Sequence, residues 1–142
     1  MLGLAAGRFV DRLYKHFPES TLTAVEWDPV MVQLMDELHL YKPYPRPNVI
    51  IGDAAHVVHN LEPCFDFIFV DLFKGPDVSP SLFDPTMIQR LSELMNQDGL
   101  LLFNLFRQPE MLVPFDAVFD RQHLWDIGYN QFALYKKKKA IS

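Results

Sequence analysis

The chain has one cysteine, Cys64, so it can form no internal disulfide and its fold rests on packing alone. That fits a reducing compartment and a cytoplasmic protein. It also lacks an apolar run long enough to cross a membrane. The most apolar stretch, "FDFIFVDLF", is short and is broken by Asp66 and Asp71. No basic segment followed by a long apolar one opens the chain, so no signal peptide is expected. Positive charge is in deficit: 13 Lys and Arg against 18 Asp and Glu give a net charge of -5. A phosphate backbone needs a basic face, so nucleic acid is not expected as a partner. What is present is 142 residues, 49% hydrophobic, enough for one domain over residues 1–142 with a single core.

Short β-rich apolar runs alternate with segments of helical period. "RFVDRLYKHF" places Phe9, Leu13 and Phe17 on one helical face, and "TLTAVE" reads as a strand. Asp28 is a good N-cap with Pro29 in the first turn, so "VMVQLMDEL" is a helix with Met31, Leu34, Met35 and Leu38 as its apolar stripe. "VII" is the next strand, followed by a turn and short helix in "GDAAHVVHNL". "FDFIFVD" has the pattern of a strand buried on both faces. After the loop "LFKGPDVSP", Asp84 and Pro85 open a helix through "TMIQRLSELM". "DGLLLFNL" is a strand, and "PEMLVPFDAVF" a helix interrupted at Pro114. "HLWDI" and "NQFALYKK" form an antiparallel pair around Gly128. This alternation predicts an α/β domain with a mostly parallel sheet, whose ligand-binding residues follow the carboxyl ends of the strands.

Four positions meet that condition. The turn Gly3-Leu4-Ala5-Ala6-Gly7 lets a ligand approach the backbone and leads into a helix N-terminus, though a tight turn reads the same way. Glu26 follows the next strand, about twenty residues on, where a carboxylate can accept bonds from both ribose hydroxyls; the alternative is a solvated acid. Trp27 beside it is either a cover for a base or an ordinary half-buried tryptophan. Asp53, in Gly52-Asp53-Ala54, can accept from an exocyclic amine, cap the following helix, or do both. Asp71 ends the buried strand, where desolvation raises a carboxyl pKa. It is either a proton acceptor from an amine or hydroxyl, or a structural acid holding the loop.

"GLAAG", "AVEWDP", "IGDA", "FDFIFVD" and "DGLLLFNL" occur in an order and spacing that resemble the spermidine synthase-like branch of the class I S-adenosylmethionine-dependent methyltransferase fold. The resemblance runs from about Gly3 to Asn104. It implies a Rossmann-like, mostly parallel seven-stranded sheet with a terminal antiparallel hairpin, and S-adenosylmethionine or its decarboxylated form as ligand. On the matching positions it implies Gly3 and Gly7 at the methionine portion, Glu26 on the ribose, Asp53 on the adenine amine and Asp71 at the transfer centre, and the cofactor site is expected to include Ala5, Trp27 and Ala54 as well. The family's first strand is cut here to Met1 and Leu2, and its N-terminal hairpin region is missing. Ala6 stands where the glycine turn carries an acid, and Lys74 replaces the second acid of the loop after Asp71. An ammonium there repels a cationic polyamine, which speaks against polyamine synthesis.

The expected activity is therefore transfer of a methyl or other alkyl group to a small acceptor whose identity the sequence does not give. The competing readings are a non-catalytic relative that serves as a structural or partner-binding domain, and a nicotinamide-dinucleotide domain. The latter ranks last because the G-x-G-x-x-G pattern is missing. A homodimer is consistent with the resemblance. No metal set is expected from His16, His39, His56, His59 and His123. Cys64 reads as packing, Lys136 to Lys139 as a solvated end, and Phe73 and Phe83 as apolar lining of an acceptor site.

Overall fold

The computed structural model describes residues 1–4, 7–63, 65–74, 77–106 and 109–138, grouped into two compact units, Met1–Val57 and Val58–Ser142. Ala5, Ala6, Cys64 and Lys139 lie outside the described residues.

In the first unit, helix α1 (Arg8–His16) is followed by β1 (Thr23–Glu26), α2 (Pro29–Glu37), β2 (Asn48–Ile51) and a single-turn α3 (Ala54–Val57). β1 and β2 pair in parallel with Glu26 opposite Ile51. Ahead of them, Met1 to Gly3 runs beside β1: the Met1 amine donates to Thr23 O, Val25 N to Met1 O, and Gly3 N to Val25 O. Only Leu2 forms a bridge, parallel to Val25. The Asp28 carboxylate caps α2 by accepting from Val30 N at 2.9 Å, and Pro29 occupies the first turn, where its missing N–H costs nothing.

Both helical faces differ from the expected ones. α1 buries Val10 and Tyr14, four residues apart, and Tyr14 stacks on Tyr44, while Phe17 is exposed. α2 buries Val32 and Met35, leaving Leu34 and Leu38 exposed. On α1 the apolar residues share one broad face and on α2 a wider one, so spacing did not say which edge of the face is buried, and packing within the unit selected it.

The second unit starts with a 3-10 turn at Val58–Asn60 and continues with β3 (Phe65–Val70), the two-residue strands β4 (Phe73–Lys74) and β5 (Asp77–Val78), and a 3-10 turn at Pro80–Phe83. Then come α4 (Pro85–Leu94), β6 (Met95–Phe106), α5 (Val113–Val118), β7 (Phe119–Ile127) and β8 (Asn130–Lys137). The sheet order is β3-β6-β8-β7: β3 and β6 are parallel, and β6, β8 and β7 antiparallel. The β7–β8 pair confirms the terminal hairpin.

The described strands thus form a four-stranded mixed sheet, a parallel pair and the small β4–β5 hairpin, where a seven-stranded sheet was expected. The stretch expected as the loop "LFKGPDVSP" contains that hairpin. Pro114 does not interrupt a helix; it sits in the first turn of α5, after a separate 3-10 turn at Pro109–Leu112. β8 extends through Lys137, so the lysine run is not simply a solvated end. Lys137 donates to Met95 O, and Lys138 to Asp116 O and Ala117 O, carbonyls at the end of α5 that lack helical partners.

The core of this unit lies on one face of the sheet. Leu101, Phe103 and Leu105 alternate along β6 and are fully buried, with Ala133 and Tyr135 beside them on β8. α4 contributes Met87, Ile88, Leu91 and Leu94, and Phe115 of α5 stacks on Phe103 at 4.6 Å. Each such side chain stabilises the fold by about 1.5–3 kcal/mol relative to exposure.

Candidate functional site

β1 ends in Glu26, 6% exposed, so the solvated-acid reading is excluded. Its two oxygens divide their work. Oε2 accepts from Leu4 N at 2.8 Å, inside the glycine turn, and Oε1 accepts from Asp28 N at 3.0 Å, at the entry to α2. One carboxylate therefore ties the glycine turn to the end of the strand that carries it. Each oxygen has two lone pairs, so capacity remains for hydroxyl donors. Trp27 is 58% exposed, a free aromatic face rather than a half-buried packing residue.

The glycines are required by geometry. Gly3 and Gly7 have φ of 85° and 73°, in the left-handed region that a side chain disfavours. A Cβ on Gly7 would also lie 3.1 Å from Leu40 Cβ. Gly7 immediately precedes the first turn of α1, whose leading N–H groups have no intrahelical acceptors. Ala5 lies outside the described residues.

Parallel pairing of β1 with β2 brings the Gly52-Asp53-Ala54 corner next to Glu26, and Gly52 N donates to Glu26 O at 2.9 Å. A Cβ on Gly52 would meet Val57 Cγ2 at 2.9 Å, so the corner needs glycine. Asp53 is exposed and its Oδ1 accepts from Ala55 N, which makes it the cap of α3; its second carboxylate oxygen is not used in that bond. Ala54 is buried. Gly3, Gly7, Glu26 and Asp53 are thus assembled by one small parallel pair within the first unit.

Asp71 lies in the second unit, one residue past β3. The β3–β6 register sets Val70 opposite Phe103, so the residue after each strand position meets its counterpart: Asn104 Nδ2 donates to Asp71 Oδ1 at 2.8 Å. Burial pushes the Asp71 carboxyl above the ordinary carboxylate range, and the Asn104 bond opposes that by favouring the charged form. The aromatic pair Phe73 and Phe106 packs at 4.9 Å within the same unit, while Phe83 is half-buried. Asn104 is the residue that sequence reading missed. The signal was a lone amide in the apolar run "LLLFNLF". Among the described residues, no three His, Cys, Asp or Glu side chains are grouped to hold a metal, and no helix is long and apolar enough to cross a membrane.

Comparison with known proteins adds the relatives. The spermine/spermidine synthase domain matches residues 2–110. The chain is 28% identical over 109 residues to polyamine aminopropyltransferase of Vibrio vulnificus, covering 75% of this chain and 36% of that protein. It is 30% identical over 121 residues to an eEF1A lysine and N-terminal methyltransferase homolog of Drosophila melanogaster, covering 79% of this chain and 18% of that protein. It therefore spans well under half the length of these relatives. Among solved structures, human methyltransferase-like protein 13 in complex with SAH is similar with a TM-score of 0.84 at 22% identity, over 96% of this chain and 70% of that one. A probable spermidine synthase from Corynebacterium glutamicum gives 0.82 at 20% identity, over 99% and 56%. Those likenesses establish a methyltransferase-like α/β fold.

Proposed function

Because the chain belongs to the spermine/spermidine synthase domain family, we propose that it is the ligand-binding and transfer domain of an S-adenosylmethionine-dependent transferase, moving a methyl or other alkyl group to a small amine acceptor. The observation that carries this reading is Glu26, a buried carboxylate fixed to the glycine turn at one oxygen and to the α2 entry at the other. The donor set suits such a ligand. Glu26 retains lone pairs for ribose hydroxyls, Trp27 offers an open aromatic face for a base, and Asp53 has an oxygen free of its cap for an exocyclic amine. Gly3 and Gly7 keep the turn clear of side chains near the ligand's methionine portion. Decarboxylated S-adenosylmethionine meets the same Glu26, Trp27 and Asp53.

The ligand supplies a carbon already activated by a sulfonium sulfur. What is left for the protein is to hold it, orient the acceptor and take a proton. Asp71 serves as that proton acceptor, its basicity raised by burial above that of an ordinary carboxylate. Lys74 in place of an acid argues that the acceptor is not a polyamine. The amine class is supported by the relatives' names, a polyamine aminopropyltransferase and a lysine and N-terminal methyltransferase homolog.

The test is calorimetric titration with S-adenosylmethionine, its decarboxylated form and NAD, repeated on Trp27→Ala. Because Trp27 is 58% exposed, its removal leaves the core intact. Saturable sulfonium binding that weakens about tenfold in the variant supports the reading, a stacked ring being worth on the order of 1–1.5 kcal/mol. No sulfonium binding, or binding of NAD alone, sinks it.

A further inference from the structure

Asn104 is 7% exposed on β6, an otherwise apolar strand segment: Phe103 and Leu105 flank it and Phe132 of β8 lies opposite. A carboxamide in such a place needs a reason, because each buried end without a partner costs about 1–3 kcal/mol. Its nitrogen end has one, the 2.8 Å bond to Asp71 Oδ1. Its oxygen end is buried and accepts from nothing among the described residues. A leucine would avoid that cost and a lysine would hold the carboxylate more strongly. What the amide has that neither offers is two unlike ends of nearly equal shape. It donates through Nδ2, accepts through Oδ1, and exchanges them by a half-turn about its last side-chain bond without moving the backbone.

From this geometry we infer that Asn104 is a positioning residue that holds Asp71 in both of its protonation states, donating to the carboxylate and, after a half-turn of the amide, accepting from the carboxylic acid. The oxygen left without a donor beside the ionised group is the one that takes the Asp71 proton as a hydrogen bond once the acid is neutral. The inference rests on the proposed role of Asp71 as proton acceptor, since only a group that changes charge during turnover needs a partner able to reverse. No charge competes for that role among the described residues. β3 brings Val70 beside Asp71, β6 brings Phe103, Asn104 and Leu105, and β8 brings Phe132, none of them ionisable. Among the described residues, the influences on the Asp71 carboxyl are burial and the Asn104 bond.

The experiment is an NMR pH titration of the isotope-labelled full chain, without ligand, following the Asp71 carboxyl carbon and the Asn104 amide carbon and nitrogen. The expected result is a downfield shift of the Asn104 amide carbon as its oxygen gains a bond, with the same midpoint as Asp71, and no such shift in Asp71→Asn. An Asn104 carbon that stays still through the Asp71 transition, or that titrates in Asp71→Asn, overturns the inference. Asn104→Leu gives a second reading. If both protonation states lose one bond, the Asp71 proton affinity changes by less than about threefold; a rise of tenfold or more shows that Asn104 serves the charged form alone. Calorimetry with S-adenosylmethionine reports the transferase reading separately: absent binding with the titration intact removes that reading and leaves the paired amide standing.

Discussion

Replacing Glu26 separates two roles that the same carboxylate carries. Leu4 N is buried and has Glu26 Oε2 as its acceptor at 2.8 Å; Asp28 N, on Oε1 at 3.0 Å, is only partly buried and can turn to water. A hydrogen bond to a charged acceptor is worth about 1.5–3 kcal/mol, and an orphaned buried N–H costs about 1–3 kcal/mol. Glu26→Ala therefore destabilises the chain by about 3 kcal/mol, most of it from the Leu4 side. Glu26→Gln keeps one oxygen, which the buried Leu4 N–H claims. The new amide then faces Asp28 N–H donor to donor, at a position where water relieves the clash. Its cost is about 1–1.5 kcal/mol. Ligand affinity behaves differently: on the proposed reading both substitutions remove an acceptor for the ribose hydroxyls, so S-adenosylmethionine binding falls tenfold or more even in the stable Gln variant. Urea denaturation measures the first effect and calorimetry the second. A Glu26→Gln chain as stable as the parent to within about 0.5 kcal/mol would show that the carboxylate does not hold the glycine turn. Unaltered affinity would remove Glu26 from the ligand site.

Gly7→Ala costs about 1–2 kcal/mol, because φ is 73° and the new Cβ presses on Leu40 at 3.1 Å; Gly128→Ala, at φ 63° with open space around it, costs only the backbone part, and equal urea midpoints for the two refute the packing argument. On the proposed reading Asp71→Asn abolishes transfer, and it raises the urea midpoint at pH 7. The folded pKa of Asp71 is raised, so the stability it contributes is full below the unfolded value of 3.8 and is lost as pH rises through the folded value. A midpoint unchanged at pH 7 rules out a costly buried charge.

The strand ends were legible because each combines a β-rich run with a residue that stops it: Glu26 before Trp27-Asp28-Pro29, Gly52-Asp53 after "VII", Asp71 after "FIFV". The caps at Asp28 and Asp84 were legible too, since their chemistry is local. Helix faces were harder. On α1, Phe9, Leu13 and Phe17 and the pair Val10 and Tyr14 both satisfy helical spacing, and only tertiary contact selects the second set. Asn104 was invisible for a related reason. Its meaning depends on which residue of β3 stands across from it, and a register between strands thirty residues apart has no local signature. Pro114 misled because a proline reads the same at a helix start as at an interruption, and the 3-10 turn before it was not apparent.

α4 passes into β6 with Leu94 and Met95 as adjacent residues and no connecting loop. The slack lies just beyond that joint. Between Phe65 and Phe67 of β3 the register passes from Met95 to Leu100 of β6, so residues 96–99 stand outside the regular pairing. One residue added there leaves α4 and the paired run from Leu100 in place. One added between Leu100 and Asn104 instead sends Asn104 to the opposite side of the sheet and away from Asp71. The length of the chain is therefore under its strictest constraint from Leu100 to Asn104, where the residue count fixes the Asp71 contact.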